Sequence, residues 1–121
     1  MMITVYGIPN CDTVKRARGW FAEQGLDYRF HDYKKDGVPA ERLQRWMAEL
    51  GWEKVLNRAG TTWRRLDDAT KAQVVDAASA AALMQAQASV IKRPLVEWAD
   101  GGFSVGFSAA AFAERSAKGA R

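Results

Sequence analysis

Tyr6-Gly7-Ile8-Pro9-Asn10-Cys11-Asp12-Thr13-Val14-Lys15-Arg16-Ala17-Arg18 is the stretch on which the fold turns, and it holds the one cysteine of a 121-residue chain. The apolar run Ile3-Thr4-Val5-Tyr6 leads into it and reads as a short buried strand. Gly7, Pro9 and Asn10 are turn residues. After Cys11, Asp12 or Thr13 can cap a helix whose apolar positions are Val14, Ala17, Phe21 and Ala22. The order of these signals places Cys11 where a strand hands over to a helix N-terminus.

That position has chemical consequences. The first N–H groups of a helix lack intrahelical partners, and the macrodipole favours an anion beside them. A thiol held there ionises at a pKa of roughly 3.5–7.5, against about 8.5 for a free cysteine, and the thiolate is the nucleophile. Lys15, Arg16 and Arg18 add positive charge nearby. Lys15 lies one helical turn from Cys11 and is suited to assist a thiolate, whereas Arg16 and Arg18 are expected on a solvated surface. Two readings of Cys11 remain open at this level: a reactive thiolate, or a small buried hydrophobe without chemistry.

Composition narrows the classes. The length suits a single domain, residues 1–121, with one core, and 48% hydrophobic residues with five tryptophans fit a globular chain. No stretch is long and apolar enough to span a bilayer, and the N-terminus does not resemble a signal peptide, so no membrane association is expected. One cysteine cannot form an internal disulfide, which points to a reducing cytoplasm. A formal net charge of +4 suits small anionic ligands, or no partner in particular, better than nucleic acid. Cys11 and His31 at their spacing do not make a metal site, and no glycine-rich phosphate loop indicates a nucleotide cofactor.

Along the chain, the first helix is expected to end near Gln24, with Gly25 as its stop. Tyr28 to Tyr33 reads as a strand from its aromatic content, and Lys34-Lys35-Asp36-Gly37 as a turn. Strand, helix and strand at these lengths form a βαβ unit with parallel strands. Pro39 suits a first helical turn. Leu43, Trp46, Met47 and Leu50 then recur at helical spacing up to Gly51. Trp52 to Leu56 is ambiguous, Asn57 to Thr62 reads as a loop, and Trp63 to Leu66 as a single turn. Asp67 or Asp68 caps a helix running toward Asp76. Ser79 caps another, with Ala82, Leu83 and Ala86 facing inward. Val90 to Trp98 alternates toward its end, Ala99-Asp100-Gly101-Gly102 turns, and Phe103-Ser104-Val105 returns as a hairpin partner. Ser108 caps a last helix through Phe112, and the tail from Ser116 is expected to fray. The sum is an α/β chain with a mixed four-stranded sheet, βαβ then ββα, interrupted by an all-helical insert at about residues 38–89.

These features resemble the thioredoxin fold, in which a cis proline before the third strand faces the active cysteine; Pro94 is the matching residue. Three separated motifs narrow the match: Tyr6 to Arg18; Leu56-Asn57-Arg58-Ala59-Gly60-Thr61-Thr62-Trp63-Arg64-Arg65-Leu66; and Ile91-Lys92-Arg93-Pro94-Leu95. Together they resemble the arsenate reductase (ArsC) family, and most closely its YffB-like branch, which shares Val105-Gly106-Phe107. The resemblance runs from about residue 3 to residue 113.

The resemblance implies that Cys11 is the nucleophile. Arg58, in the insert, and Arg93, before the cis proline, would be the anion-binding arginines. Pro94 would shape the substrate groove, and Lys15 would support the thiolate. A guanidinium suits this work because it stays charged and presents a planar fork to an oxyanion or carboxylate. Two departures stand out. The arsenate reductases carry a third anion-binding arginine after the hairpin, where this chain has Gly106-Phe107. They also carry a histidine where this chain has Gly7. The YffB-like branch shares both departures.

The implied activity is a thiol-disulfide reductase that forms a mixed disulfide with glutathione as co-substrate, with no tightly bound cofactor. Glutathione or a glutaredoxin-like thiol would be the donor, a small anion or disulfide the substrate, and the protein a monomer. Two alternatives accompany it: an arsenate reductase using glutathione and glutaredoxin, and a non-catalytic regulator resembling the Spx proteins that bind RNA polymerase. The Spx redox switch needs a Cys-x-x-Cys pair, and Val14 occupies the second position here.

Overall fold

The computed structural model describes residues 2–119. Two compact units emerge: one holds the chain up to Asp36 and again from Arg93 onward, the other Gly37–Lys92.

In the first unit, strand β1 (Ile3–Gly7) is followed by helix α1 (Asp12–Glu23), strand β2 (Tyr28–Asp32) and a single turn, α2 (Tyr33–Asp36). The turn replaces the end of the expected strand. The Asp32 carboxylate accepts from the N–H of Lys34 at 2.9 Å, a local bond that competes with the ladder and curls the backbone. Gly25 takes φ +66° after α1, a left-handed conformation that glycine adopts without steric cost.

The second unit carries α3 (Ala40–Leu50), α4 (Trp52–Val55), α5 (Thr61–Arg64), α6 (Asp68–Ala72), α7 (Ala77–Ala86) and a 3-10 turn, Ala88–Val90. Leu43, Trp46 and Met47 of α3 are buried, as their spacing required. Pro39 stands one residue earlier than expected, as the N-cap of α3. Within this unit Leu56 pairs with Ile91 in an isolated antiparallel bridge. The N–H of Asn57 donates to the Val90 carbonyl at 2.7 Å, and that of Lys92 to the Val55 carbonyl at 2.8 Å.

Asp76, not Ser79, caps α7. Its carboxylate accepts from the Ser79 N–H while the Ser79 hydroxyl receives the Asp76 N–H, a reciprocal box. The buried face of α7 is Ala80, Ala81 and Met84, and Ala82 and Ala86 are exposed. Alanine lies on every side of this helix, so its sequence offers little apolar contrast to set the phase.

The chain returns to the first unit through β3 (Leu95–Glu97), β4 (Phe103–Val105) and α8 (Ala109–Gly119). The last helix runs well past Phe112 and through the region expected to fray; Ala120 and Arg121 of that tail lie outside the described residues. The sheet order is β2-β1-β3-β4, with β1 and β2 parallel and the other pairs antiparallel. This is the mixed four-stranded sheet of a thioredoxin-like α/β fold.

Side chains alternate across the sheet, so opposed residues share a face. One face, with Ile3, Val5, Val96 and the adjacent Trp98, packs on Ala17 and Phe21 of α1 and Phe112 of α8. Phe112 meets Trp98 edge-on at 5.0 Å and Phe107 at 4.8 Å, arrangements worth about 0.5–1.5 kcal/mol each beyond burial. The Trp98 indole N–H is satisfied by Ser104 Oγ at 2.8 Å.

Candidate active site

The chain leaves β1 through buried Ile8 and the exposed Pro9-Asn10 bend, and Cys11 enters α1 as its N-cap. Asp12 and Thr13 already belong to the helix or its first turn, so neither is the cap. Cys11 has extended backbone angles, φ −137° and ψ 124°, and its carbonyl accepts the first helical bond from the Lys15 N–H at 2.9 Å. A thiol is a weak acceptor, so a cysteine cap leaves the first helical N–H groups poorly satisfied until the sulfur carries charge.

Cys11 is half-buried. Burial pushes its pKa up, but the N–H of Val14, a hydrogen bond from Arg93, the Arg93 charge and the N–H of Thr13 pull it down by more. The net result is a thiol that ionises below its ordinary range. The backbone share comes from local folding, whereas Arg93 arrives from the far end of the sequence.

Arg93 is half-buried and Pro94 buried, and the Arg93–Pro94 peptide is cis. The Pro94 carbonyl accepts the N–H of Gly106 at 2.9 Å, tying the approach to β3 to the exit from β4. Gly106 has φ +81°, which favours glycine at that point.

Three interacting residues, Tyr6, Tyr33 and Glu97, escaped the sequence reading. The Tyr6 hydroxyl donates to Glu97 Oε1 at 3.2 Å, and the Tyr6 ring stacks on Tyr33 at 6.2 Å. Tyr33 is buried, which raises its phenol pKa well above the ordinary value. The charges of Tyr6 and Glu97 push the same way and Arg93 opposes them. Tyr33 is therefore a neutral hydroxyl beside Arg93. Its aromatic strand context signalled only packing. His31 lies 4.9 Å from Tyr6, ring to ring, within this group.

The other basic residues have surroundings of their own. Lys15 and Arg16 are exposed on α1. Arg18, expected in solvent, instead lies over the Phe30 ring at 4.1 Å and donates to the Tyr28 hydroxyl at 2.9 Å. Its stem and planar head cover the edge of β2, a packing role for a charged side chain. Arg58 belongs to the second unit. There it pairs with Glu53 at 3.1 Å and lies 5.2 Å from the Trp52 ring centroid, with 45% of its side chain exposed. An exposed pair of this kind is worth about 0–1 kcal/mol, so the Arg58 head is easily redirected. Arg64 and Arg65 are exposed and Trp63 half-buried. Among the described residues, no three His, Cys, Asp or Glu side chains gather as a metal site.

The model of the ArsC family matches residues 6–115. The chain belongs to the ArsC family. A YffB protein of known structure is 52% identical, with 94% of this chain and 98% of that one covered and a TM-score of 0.88. An arsenate reductase (ArsC) related protein from Brucella melitensis is also 52% identical over 94% of this chain and 93% of its own, with a TM-score of 0.74. An uncharacterized protein of Haemophilus influenzae is 40% identical over 88% of this chain and 92% of its own. The ArsC-family match spans both motifs that place Cys11 and Arg93, and the insert with Arg58 as well.

Proposed function

We propose that this ArsC-family chain is a glutathione-dependent thiol-disulfide reductase with Cys11 as its nucleophile. Family membership supports a thiol-dependent oxidoreductase in general. The observation that carries the finer reading is the lowered pKa of a half-buried thiol held by Val14, Thr13 and Arg93.

In the proposed cycle the Cys11 thiolate attacks one sulfur of a glutathione-containing disulfide. A new S–S bond forms as the old one breaks, and the other half leaves as a thiolate that takes up a proton. The enzyme then carries one glutathionyl group. This chain has a single cysteine, so a second, external thiol must attack the mixed disulfide, releasing Cys11 and oxidising the donor. Arg93 holds the thiolate and screens an approaching carboxylate, while Arg58 and Lys15 are the proposed further anion contacts.

Incubation with oxidised glutathione, followed by intact mass measurement, tests the reading. One glutathionyl adduct on the wild type, none on Cys11→Ser, and its removal by fresh thiol are expected. No adduct on the wild type, or a Cys11 titration midpoint near about 8.5, would sink it. Parallel assays with arsenate decide whether an oxyanion is also reduced; Gly7 and Gly106-Phe107 argue for the disulfide.

A further inference from the structure

Arg58 already holds a carboxylate of its own chain. Its Nη2 donates to Glu53 Oε2 at 3.1 Å, a single bond between residues five apart. Glu53 belongs to α4 and Arg58 follows that turn, and the backbone between them is fixed. Val55 and Leu56 are buried, and Leu56 bridges Ile91. The N–H of Asn57 donates to the Val90 carbonyl and that of Lys92 to the Val55 carbonyl. Beyond Arg58 the loop is tight as well, since a side chain at Gly60 would begin 2.7 Å from the Asn57 amide nitrogen. Arg58 therefore rises from a rigid base, and rotation of its own side chain is enough to change its anionic partner.

The guanidinium has the features of an exchangeable contact. It lies 5.2 Å from the Trp52 ring centroid, within the range at which an aromatic face attracts a cation. Trp52 is half-buried and shares the α4 turn with Glu53. Its ring holds the cation without using an N–H donor. Glu53 engages one of the five donors of the guanidinium, and the pair is open to water, with side chains 45% and 71% exposed. A pair so exposed is easily broken. A ligand carboxylate that accepts two parallel N–H bonds displaces it, because bidentate pairing is the stronger geometry.

We propose that Glu53 is a specificity residue: a resident carboxylate that occupies Arg58 until a carboxylate-bearing disulfide, such as oxidised glutathione, displaces it. Trp52 retains the guanidinium through the exchange. Glu53 thereby limits the preference of the protein for anionic over neutral disulfides. This rests on the reading of Cys11 as the nucleophile and of Arg58 as an anion contact.

The test compares two rates of mixed-disulfide formation on Cys11, read by acid quench and intact mass. One uses oxidised glutathione, the other the neutral bis(2-hydroxyethyl) disulfide. Each reaction forms one S–S bond to Cys11, breaks one in the reagent and releases one thiol. The readout is the ratio of the two rate constants, from which any change in thiol reactivity common to both reagents cancels. The proteins are the wild type, Glu53→Gln, Arg58→Ala and the Glu53→Gln/Arg58→Ala double variant. We expect Glu53→Gln to raise the ratio about two- to fivefold, the range of an exposed ion pair, and Arg58→Ala to lower it. The double variant should match Arg58→Ala, the coupling expected of residues in contact. A rise that persists in full without Arg58 is plain charge repulsion and overturns the displacement. An unchanged or lowered ratio in Glu53→Gln, with Arg58→Ala still lowering it, overturns the role of Glu53 alone. A ratio in Arg58→Ala equal to that of the wild type overturns Arg58 as an anion contact and the role of Glu53 with it. Absence of any adduct on the wild type overturns the reading of Cys11 itself.

Discussion

The Cγ2 methyl of Val14 stands 2.9 Å from where a side chain at Gly7 would begin. The end of β1 and the first turn of α1 are thus packed without room for a Cβ, and the same Val14 presents its N–H to the Cys11 sulfur. Gly7→Ala is expected to destabilise by about 1–3 kcal/mol through overpacking, read as a lower urea midpoint. Adding Val14→Ala should recover part of that loss. Unchanged stability in Gly7→Ala would mean the turn yields freely.

Arg93 and Lys are not interchangeable beside the thiol. Arg93→Ala removes a hydrogen bond and a charge that both lower the Cys11 pKa, leaving only the Val14 and Thr13 N–H groups to offset burial. The alkylation midpoint should rise, and the rate below the wild-type midpoint should fall roughly three- to tenfold. Arg93→Lys should restore part of the charge effect without the planar fork, and lie between the two. A stopped series of iodoacetamide reactions across pH checks all three proteins.

Phe112 tests the reach of α8 into the core. It is 2% exposed and meets Trp20, Phe21, Trp98 and Phe107. Phe112→Ala should cost about 3–5 kcal/mol, and Phe112→Leu distinctly less, by denaturant unfolding. A loss below about 1 kcal/mol for the alanine variant would mean the helix contributes little to the packed core.

The Asp76 cap gives a stability term with a defined pH window. The Ser79 N–H and then its hydroxyl hold the Asp76 carboxylate below its ordinary pKa in the folded state. Its contribution is therefore present above the unfolded carboxylate pKa and is lost as pH falls through the depressed folded value. Asp76→Asn, which keeps a neutral cap, should lower the thermal midpoint at neutral pH and differ less from the wild type in acid. Equal differences at both pH values would show that charge plays no part in the cap.

Much of the fold could be read from local pattern. Ile3, Val5 and Tyr6 made β1 legible, Val14, Ala17 and Phe21 the inner face of α1, and Ala99-Asp100-Gly101-Gly102 the hairpin. Misreadings fell where one local bond outweighed propensity. Asp32 curls Tyr33–Asp36 into a turn, and Asp76 takes the cap that Ser79 also suits. In α7, alanine on every face left the buried side to be chosen by packing. Arg18 looked solvated because a sequence shows its charge but not the Phe30 ring it covers.

By itself the sequence determined that a cysteine starts a helix after a short strand, because turn, cap and periodicity act within a few residues. Tertiary structure alone decided what acts on that cysteine. Arg93 acts on the sulfur, and Tyr6 meets Glu97 and Tyr33, only because the ladder register aligns β1, β2 and β3. Electrostatic stabilisation depends on distance through space, and distance along the chain does not carry it.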